Sequence, residues 1–235
     1  MFPVIILAGG LATRLHPITE KFPKSMIEVA GKPFIDHQLN LLKTKGIKEV
    51  ILCLGYLGEI IEEYVKDGSA YCINVSYSYD GDKLLGTGGA IKNIGDRLPD
   101  NFFVLYGDSY LDVDYLVIEN SYCSSYKKAL MTVYNNGGKW DSSNVVYNNN
   151  EIVYYSKKNK VDNMDYIDYG LGIFSKETFQ TIKNEHVFDL ADVYGKLIEE
   201  RQLFGYEVYE RFYEIGSIDG LNELEQKIIK TGSYE

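Results

Sequence analysis

The sequence predicts an α/β fold: a mostly parallel sheet with helices on both faces, continued by a small mixed-β lobe. Three observations predict it. Short apolar runs of strand type alternate with segments of helical period through the first half of the chain. Gly9-Gly10 and Gly107-Asp108 directly follow two of those apolar runs, where a strand must turn toward its helix. Beyond about residue 125 the alternation gives way to brief strands broken by Asn and Gly turns.

The elements can be justified in order. Pro3 to Leu7 reads as a buried strand ending at Gly9-Gly10. Pro33 to Lys45 reads as a helix with Ile35, Leu39 and Leu42 on one face and Gly46 as its stop. Glu49 to Leu54 is a second strand, and Leu57 to Val65 a helix with Ile60, Ile61, Tyr64 and Val65 inward. Ile73 to Tyr79 alternates like a third strand, Thr87 to Leu98 opens a helix, and Phe102 to Tyr106 is a fourth strand. In the second half, 128–134, 144–147, 151–155 and Asp168 to Phe174 read as strands. Leu190 to Glu200 is an amphipathic helix with Leu190, Val193, Tyr194, Leu197 and Ile198 inward. Phe204 to Tyr209 is a strand and Asp219 to Lys230 a closing helix. The polar stretch 135–150 is the expected loop.

Composition narrows the function. The chain has 235 residues and a net charge of −10, so a broadly basic, nucleic-acid-binding or anionic-membrane-binding surface is not expected. Positive charge for phosphate must be concentrated locally. Cys53, Cys72 and Cys123 show no C-x-x-C spacing, and His16, His37 and His186 form no H-x-x-x-H pair. A reduced, cytoplasmic protein without a zinc site is expected. Met1 to Ala8 lacks a basic lead-in and suits a buried strand better than a signal peptide, and no apolar run approaches the roughly 20 residues that span a bilayer.

Leu7-Ala8-Gly9-Gly10-Leu11-Ala12-Thr13-Arg14-Leu15 follows the first strand. Glycines let backbone N–H groups approach a polyphosphate, and Arg14 can neutralise it bidentately. The pattern is neither G-x-G-x-x-G nor G-x-x-x-x-G-K-[ST], so dinucleotide and Walker-type sites are excluded. Pro23-Lys24 adds a second cation. A tight turn with solvated Arg and Lys is the plain alternative.

The run Leu7-Ala8-Gly9-Gly10-x-x-Thr13-Arg14-Leu15-x-Pro17-x-Thr19 with Pro23-Lys24 resembles the signature of sugar-1-phosphate nucleotidyltransferases. The resemblance continues through Leu85-Gly86-Thr87-Gly88-Gly89-Ala90 and Tyr106-Gly107-Asp108 to Glu214-Ile215-Gly216-Ser217, and so covers nearly the whole chain. The short, single-domain members are most similar: heptose- and mannose-1-phosphate guanylyltransferases and muramic acid-1-phosphate uridylyltransferase. The resemblance implies a Rossmann-like, three-layer α/β/α fold in one domain, with a nucleotide-binding half (1–125) and an acceptor-binding half (126–235). No hexapeptide-repeat tail is present, so neither a fused acetyltransferase nor an allosteric C-terminal unit is expected.

The family's chemistry is attack by an acceptor phosphate oxygen on the α-phosphorus of a nucleoside triphosphate, with pyrophosphate leaving. It needs positioning and charge neutralisation but no protein nucleophile. By resemblance, Arg14 holds the β and γ phosphates, Lys24 bridges the α and acceptor phosphates, and Asp108 is the third catalytic group. Leu7, Ala8, Gly9, Gly10, Thr13 and Arg14 bind the nucleotide, with Leu7, Gly9 and Gly10 against base and ribose. Gly86, Thr87 and Gly88 form a base-contacting loop at a helix start whose backbone N–H groups are free. Asp108 and Glu214 coordinate Mg²⁺. Lys157 meets the acceptor phosphate, and Asp168 and Gly172 meet acceptor hydroxyls. GTP is the expected base choice, with UTP, CTP and dTTP open, as is a phosphorylated non-sugar acceptor.

Several positions depart from the family pattern. Ala12 replaces glycine, Ser25 a proline, Glu214 an aspartate and Ser156 a glutamate. The usual acceptor-site asparagine is missing, with Gly170 nearest. Losing the proline at Ser25 is expected to loosen the loop. Asp112-Val113-Asp114 offers a rival, the D-x-D metal motif of nucleotide-sugar glycosyltransferases, against a plain helix start at Asp114. A catalytically silent nucleotide-binding regulator is the other alternative.

Overall fold

The computed structural model describes residues 1–10, 22–182 and 186–231. Strand β1 (Val4–Leu7) leads to the short paired strands β2 (Glu28–Val29) and β3 (Lys32–Pro33), then to helix α1 (Phe34–Thr44). Gly46, at φ +84°, ends that segment in a conformation glycine adopts without strain. Strand β4 (Glu49–Leu54), helix α2 (Gly58–Val65), strand β5 (Asn74–Tyr79), helix α3 (Gly86–Lys92) and strand β6 (Asn101–Tyr106) complete the parallel half. α3 is shorter than the spacing predicts. It stops at Lys92, and Gly95 at φ +65° opens a single 3₁₀ turn over Gly95–Arg97.

Strand β7 (Ser109–Tyr110), helix α4 (Tyr115–Ser125), and strands β8 (Ala129–Asn135), β9 (Val145–Asn148), β10 (Glu151–Tyr155) and β11 (Tyr166–Ser175) follow. Helices α5 (Lys176–Gln180) and α6 (Leu190–Glu199), strands β12 (Leu203–Val208) and β13 (Tyr213–Glu214), and helix α7 (Ile218–Thr231) close the chain. β2, β3, β7, β13 and α5 are too short to show a period in sequence. The expected loop 135–150 contains β9. α2 turns Tyr64 outward, with its side chain 42% exposed, and buries Ile61 and Val65 instead.

The main sheet has nine strands in the order β5-β4-β1-β6-β11-β8-β12-β10-β9. β1 is flanked in parallel by β4 and β6, with Val4 opposite both Val50 and Phe103. The sheet is mixed overall, which corrects the mostly parallel expectation. β11 enters antiparallel between β6 and β8, and β10 and β9 pair antiparallel at the far edge. The antiparallel part is therefore no separate lobe in its hydrogen bonding, because β11 joins both halves.

Side-chain alternation divides the core. Val4, Ile6, Leu52 and Leu105 pack with Ile35 and Leu39 of α1, Ile61 of α2 and Ile118 of α4. Ile5, Ile51 and Val104 pack with Ile91 of α3, Phe179 of α5 and Val193 and Leu197 of α6. Burial on both faces is why β1, β4 and β6 read as continuous apolar runs. A third cluster (Val29, Phe34, Leu41, Tyr110, Ile215, Leu224 and Ile228) docks α7 against the ribbons β2–β3 and β7–β13. Among the described residues no helix is long and apolar enough to cross a membrane.

Candidate active site

A cavity of about 400 Å³ opens at the carboxyl ends of β1, β4 and β6. Its floor is a set of close backbone crossings. The Gly107 N–H donates to the Leu7 carbonyl at 2.9 Å, and the Ala8 N–H to the Cys53 carbonyl at 2.9 Å. A Cβ on Gly107 would lie 2.9 Å from the Ala8 Cα, so this turn admits no side chain. Leu7, Ala8, Gly9 and Gly10 line the cavity, as do Gly86 and Thr87. Arg14 and Thr13 lie outside the described residues, with Ala12.

Lys24 and Asp108 meet at one end of the cavity, Nζ to Oδ2 at 2.6 Å, with side chains 16% and 33% exposed. Three residues set that pair. Ser25, fully enclosed, donates from Oγ to the Gly107 carbonyl at 3.0 Å. Gln38 on α1 donates from Nε2 to the carbonyls of Tyr106 (3.0 Å) and Ser109 (2.9 Å), clamping the turn that carries Asp108. The Ile215 N–H donates to the Asp108 carbonyl at 3.0 Å. Ser25 thus ties the Lys24 segment down, which corrects the expectation that losing a proline there loosens the loop. Neither Ser25 nor Gln38 was singled out as a functional residue in sequence. A glutamine beside Leu39 on a helix that buries it is the one trace of it.

Glu214 comes to the same end through the β7–β13 ribbon, where it pairs with Ser109, the neighbour of Asp108. The place where a Gly216 Cβ would stand is 3.3 Å from Glu214 Oε1 and 3.4 Å from Lys24 Nζ. The bare Cα of Gly216 lets the two side chains converge.

Thr87 and Gly88 behave differently from expectation. The N–H groups of Gly88 and Gly89 donate to the Phe188 carbonyl at 3.0 and 3.1 Å, so they are not free. The Thr87 hydroxyl accepts from the Leu190 N–H at 2.7 Å, capping α6. Gly88 has no room for a side chain, since its Cβ would fall 2.4 Å from the Phe188 ring. This segment holds α3 against α6, and among its residues Gly86, Thr87 and Ala90 reach the cavity.

Tyr106 links the cavity to the second half. Lys157 Nζ lies 5.1 Å above its ring centroid and 3.5 Å from its hydroxyl. Burial, then the charges of Asp168, Asp108 and Asp189, push the Tyr106 hydroxyl well above its ordinary pKa, so it stays a neutral donor and acceptor. No role was assigned to this tyrosine from sequence. Asp168 sits in β11 at a register break between Asp168 and Gly172, where Gly170 takes φ +95°. The Gly170 N–H donates to Asp168 Oδ1 at 3.1 Å and the Tyr155 hydroxyl to Oδ2 at 3.3 Å. Gly172 faces elsewhere, since its missing side chain makes room for the Tyr194 hydroxyl, 2.4 Å from where a Cβ would be.

Burial raises the Asp168 carboxyl above its ordinary pKa, against the opposing charge of Lys157 and the two hydrogen bonds. The raised folded pKa means the folded chain holds a proton that the unfolded chain has already lost, so stability falls as pH climbs from about 4 through the folded value. Asp168→Asn, which can keep both hydrogen bonds, is expected to raise the thermal midpoint at pH 7 and to lose that advantage toward pH 4. Thermal melts of both proteins across that range check it.

Asp112 and Asp114 are otherwise engaged. Asp112 pairs with Lys45 at 2.6 Å, and Asp114 Oδ1 accepts the Val117 N–H at 3.1 Å as the cap of α4. The helix-start reading of the D-x-D holds.

A glycine floor, a lysine–carboxylate pair and a second carboxylate on a neighbouring ribbon thus converge at one end of the cavity. The comparisons with known proteins give the family. A family model described as nucleotidyl transferase matches residues 3–231, and the chain belongs to that family. D-glycero-α-D-manno-heptose 1-phosphate guanylyltransferase of Campylobacter jejuni is 32% identical over 219 residues, 90% of this chain and 93% of that protein. N-acetylmuramate α-1-phosphate uridylyltransferase of Neisseria meningitidis is 28% identical, over 93% of this chain and 95% of the other. UTP–glucose-1-phosphate uridylyltransferase of Synechocystis is 30% identical over 83% of this chain, but this chain spans 55% of its length. Among solved structures, HddC of Yersinia pseudotuberculosis complexed with GMP-PN superimposes with a TM-score of 0.80 at 25% identity, over 97% of this chain and 100% of that one.

Proposed function

We propose that the protein transfers a nucleotidyl group from a nucleoside triphosphate to a sugar 1-phosphate, giving a nucleotide sugar and pyrophosphate. The observation that carries this is the Lys24–Asp108 pair, with Glu214 converging on it at one end of a cavity floored by Gly9, Gly10 and Gly107. The names of the relatives support the same chemistry, and the guanylyltransferase among them supports GTP as the donor.

The acceptor phosphate attacks the α-phosphorus in line with the departing pyrophosphate. Lys24 sits where one ammonium can neutralise both the α-phosphate and the incoming oxygen, in a site whose donors are already oriented. Arg14 is assigned to the β and γ phosphates on its motif alone. Asp108, in the turn just before β7, and Glu214, on the paired strand β13, are two hard oxygen donors, and Mg²⁺ typically takes one or two carboxylates beside phosphate oxygens, so the donor set fits this cation. When bound, Mg²⁺ would supply neutralisation of charge on the phosphate oxygens. Lys157, across the Tyr106 ring, would meet the acceptor phosphate, and Asp168 the acceptor hydroxyls. Residues 1–125 would then be a Rossmann-like, three-layer nucleotide-binding half and 126–235 the acceptor-binding half of one domain.

The test mixes the protein with each nucleoside triphosphate, Mg²⁺ and a panel of sugar 1-phosphates and other phosphorylated small molecules, and measures pyrophosphate. Release with GTP and one sugar 1-phosphate is expected. No release with any pair, from folded protein, overturns the proposal.

A further inference from the structure

Asp168 stands in the acceptor half and Glu214 on the β7–β13 ribbon, and one side chain joins the segments that carry them. Arg211 lies between β12 and β13, just ahead of Glu214. Its guanidinium carbon sits 3.4 Å from the centroid of the Trp140 ring and 4.9 Å from that of Tyr213, the residue before Glu214. One guanidinium nitrogen donates to Glu223 of α7. Arg211 thus touches a loop of the second half, the ribbon and α7 at once. The Trp140 loop is built to hold its shape around Asn136, buried just after β8. Asn136 Oδ1 accepts the Trp140 N–H at 3.2 Å, and Nδ2 donates to the Asp141 carbonyl at 2.5 Å and to Ser143 Oγ at 3.3 Å. The loop then runs into Asn144, whose Oδ1 accepts the Asp168 N–H at 2.9 Å.

From Asp168 through Asn144, Trp140 and Arg211 to Glu214, the path is continuous in backbone and contacts. Its central link is a planar cation between two aromatic faces, a contact whose strength depends on the flat guanidinium. Arg211 does not line the cavity, so any effect it has on the reaction passes through the groups it holds. In-line transfer is sensitive to such holding, because a group displaced by about 1 Å costs about a hundredfold in rate. We propose that Arg211 is a positioning residue for the transfer. It clamps the Trp140 loop to the ribbon and so fixes the spacing between Asp168 at the acceptor and Glu214 at the metal. This role rests on the nucleotidyl-transfer assignment above and on the places given there to the two carboxylates.

The test compares the unmodified protein with Arg211→Ala, Trp140→Ala and Trp140→Phe, using the triphosphate and acceptor that release pyrophosphate. Trp140 is 45% exposed, and Phe212 anchors the backbone beside Arg211 edge-on against Tyr134 and Tyr169, so the variants should fold, which circular dichroism and thermal melts check. Should Arg211→Ala unfold, the two Trp140 variants decide. Both alanine variants should lose about ten- to a hundredfold in kcat. Trp140→Phe keeps a flat face for the guanidinium and should hold kcat within about threefold of the unmodified protein. The double variant Arg211→Ala/Trp140→Ala should be no slower than the worse single one, since the same stack is lost. Two measurements do without turnover. Trp140 is the chain's one tryptophan, so its emission should shift in Arg211→Ala. Calorimetry with the triphosphate alone, in Mg²⁺ and in EDTA, should show a smaller Mg²⁺-dependent gain in affinity in both alanine variants. A folded alanine variant with undiminished kcat, a Trp140→Phe protein as slow as Trp140→Ala, a multiplicative double variant, an unshifted emission or an unaltered Mg²⁺ gain overturns the clamp and leaves nucleotidyl transfer standing. No pyrophosphate from the unmodified protein with any pair overturns that assignment and this role with it.

Discussion

Asp108→Asn is expected to lower kcat/KM for nucleotidyl transfer at least about a hundredfold, on the scale of losing one oriented electrostatic group from an active site. Asparagine keeps the size of the side chain and can still touch Lys24, but it removes the negative charge and one hard oxygen donor. The turn itself should survive, because the Gln38, Ser25 and Ile215 contacts all go to carbonyls of the backbone around position 108, not to its carboxylate. The thermal midpoint should therefore stay within a few degrees, while pyrophosphate release falls. The defect should appear in kcat as well as KM, since the lost interaction serves the transition state. An Asp108→Asn protein that keeps more than a tenth of the rate would remove this residue from the centre of the chemistry.

Lys24→Met should cost a similar factor and should not add to the first. Lys24 and Asp108 are in contact, 2.6 Å apart, so each single change strips the other of its partner. The double variant Lys24→Met/Asp108→Asn is expected to fall within about tenfold of the worse single variant. Independent groups would multiply to about ten-thousandfold. Arginine at position 24 should rescue little, because its planar fork does not replace a point charge shared between two phosphates. Steady-state pyrophosphate assays on the four proteins decide this, and a multiplicative double variant would mean the pair does not act as a unit.

The residues whose role depends on local pattern were legible before the fold was known. β1, β4 and β6 announce themselves as apolar runs because both their faces are buried, and α1 and α6 because their inward residues recur at helical spacing. Lys24, Asp108 and Glu214 stood out because each lies in a short motif, those of Asp108 and Glu214 at or just beyond a strand. Ser25, Gln38 and Tyr106 did not. Each acts on something distant in sequence: Ser25 on a carbonyl 82 positions on, and Gln38 on carbonyls 68 and 71 positions on. The Gly88 and Gly89 amides show the reverse error. A helix start with free N–H groups was a sound expectation for an isolated helix, but the Phe188 carbonyl, brought by α6, takes them.

By itself, the sequence determined the longer strands and helices, the glycine turns and the family, because periodicity, backbone freedom and short motifs are properties of neighbouring residues. Tertiary structure decided the rest. β11 enters antiparallel beside β6 and so brings Asp168 toward Tyr106, α7 packs against the ribbons near Glu214, and Trp140 comes to stack on Arg211. These placements come from strand pairing and apolar packing between segments far apart in the chain, and no local window of sequence encodes which distant surface a segment will bury itself against.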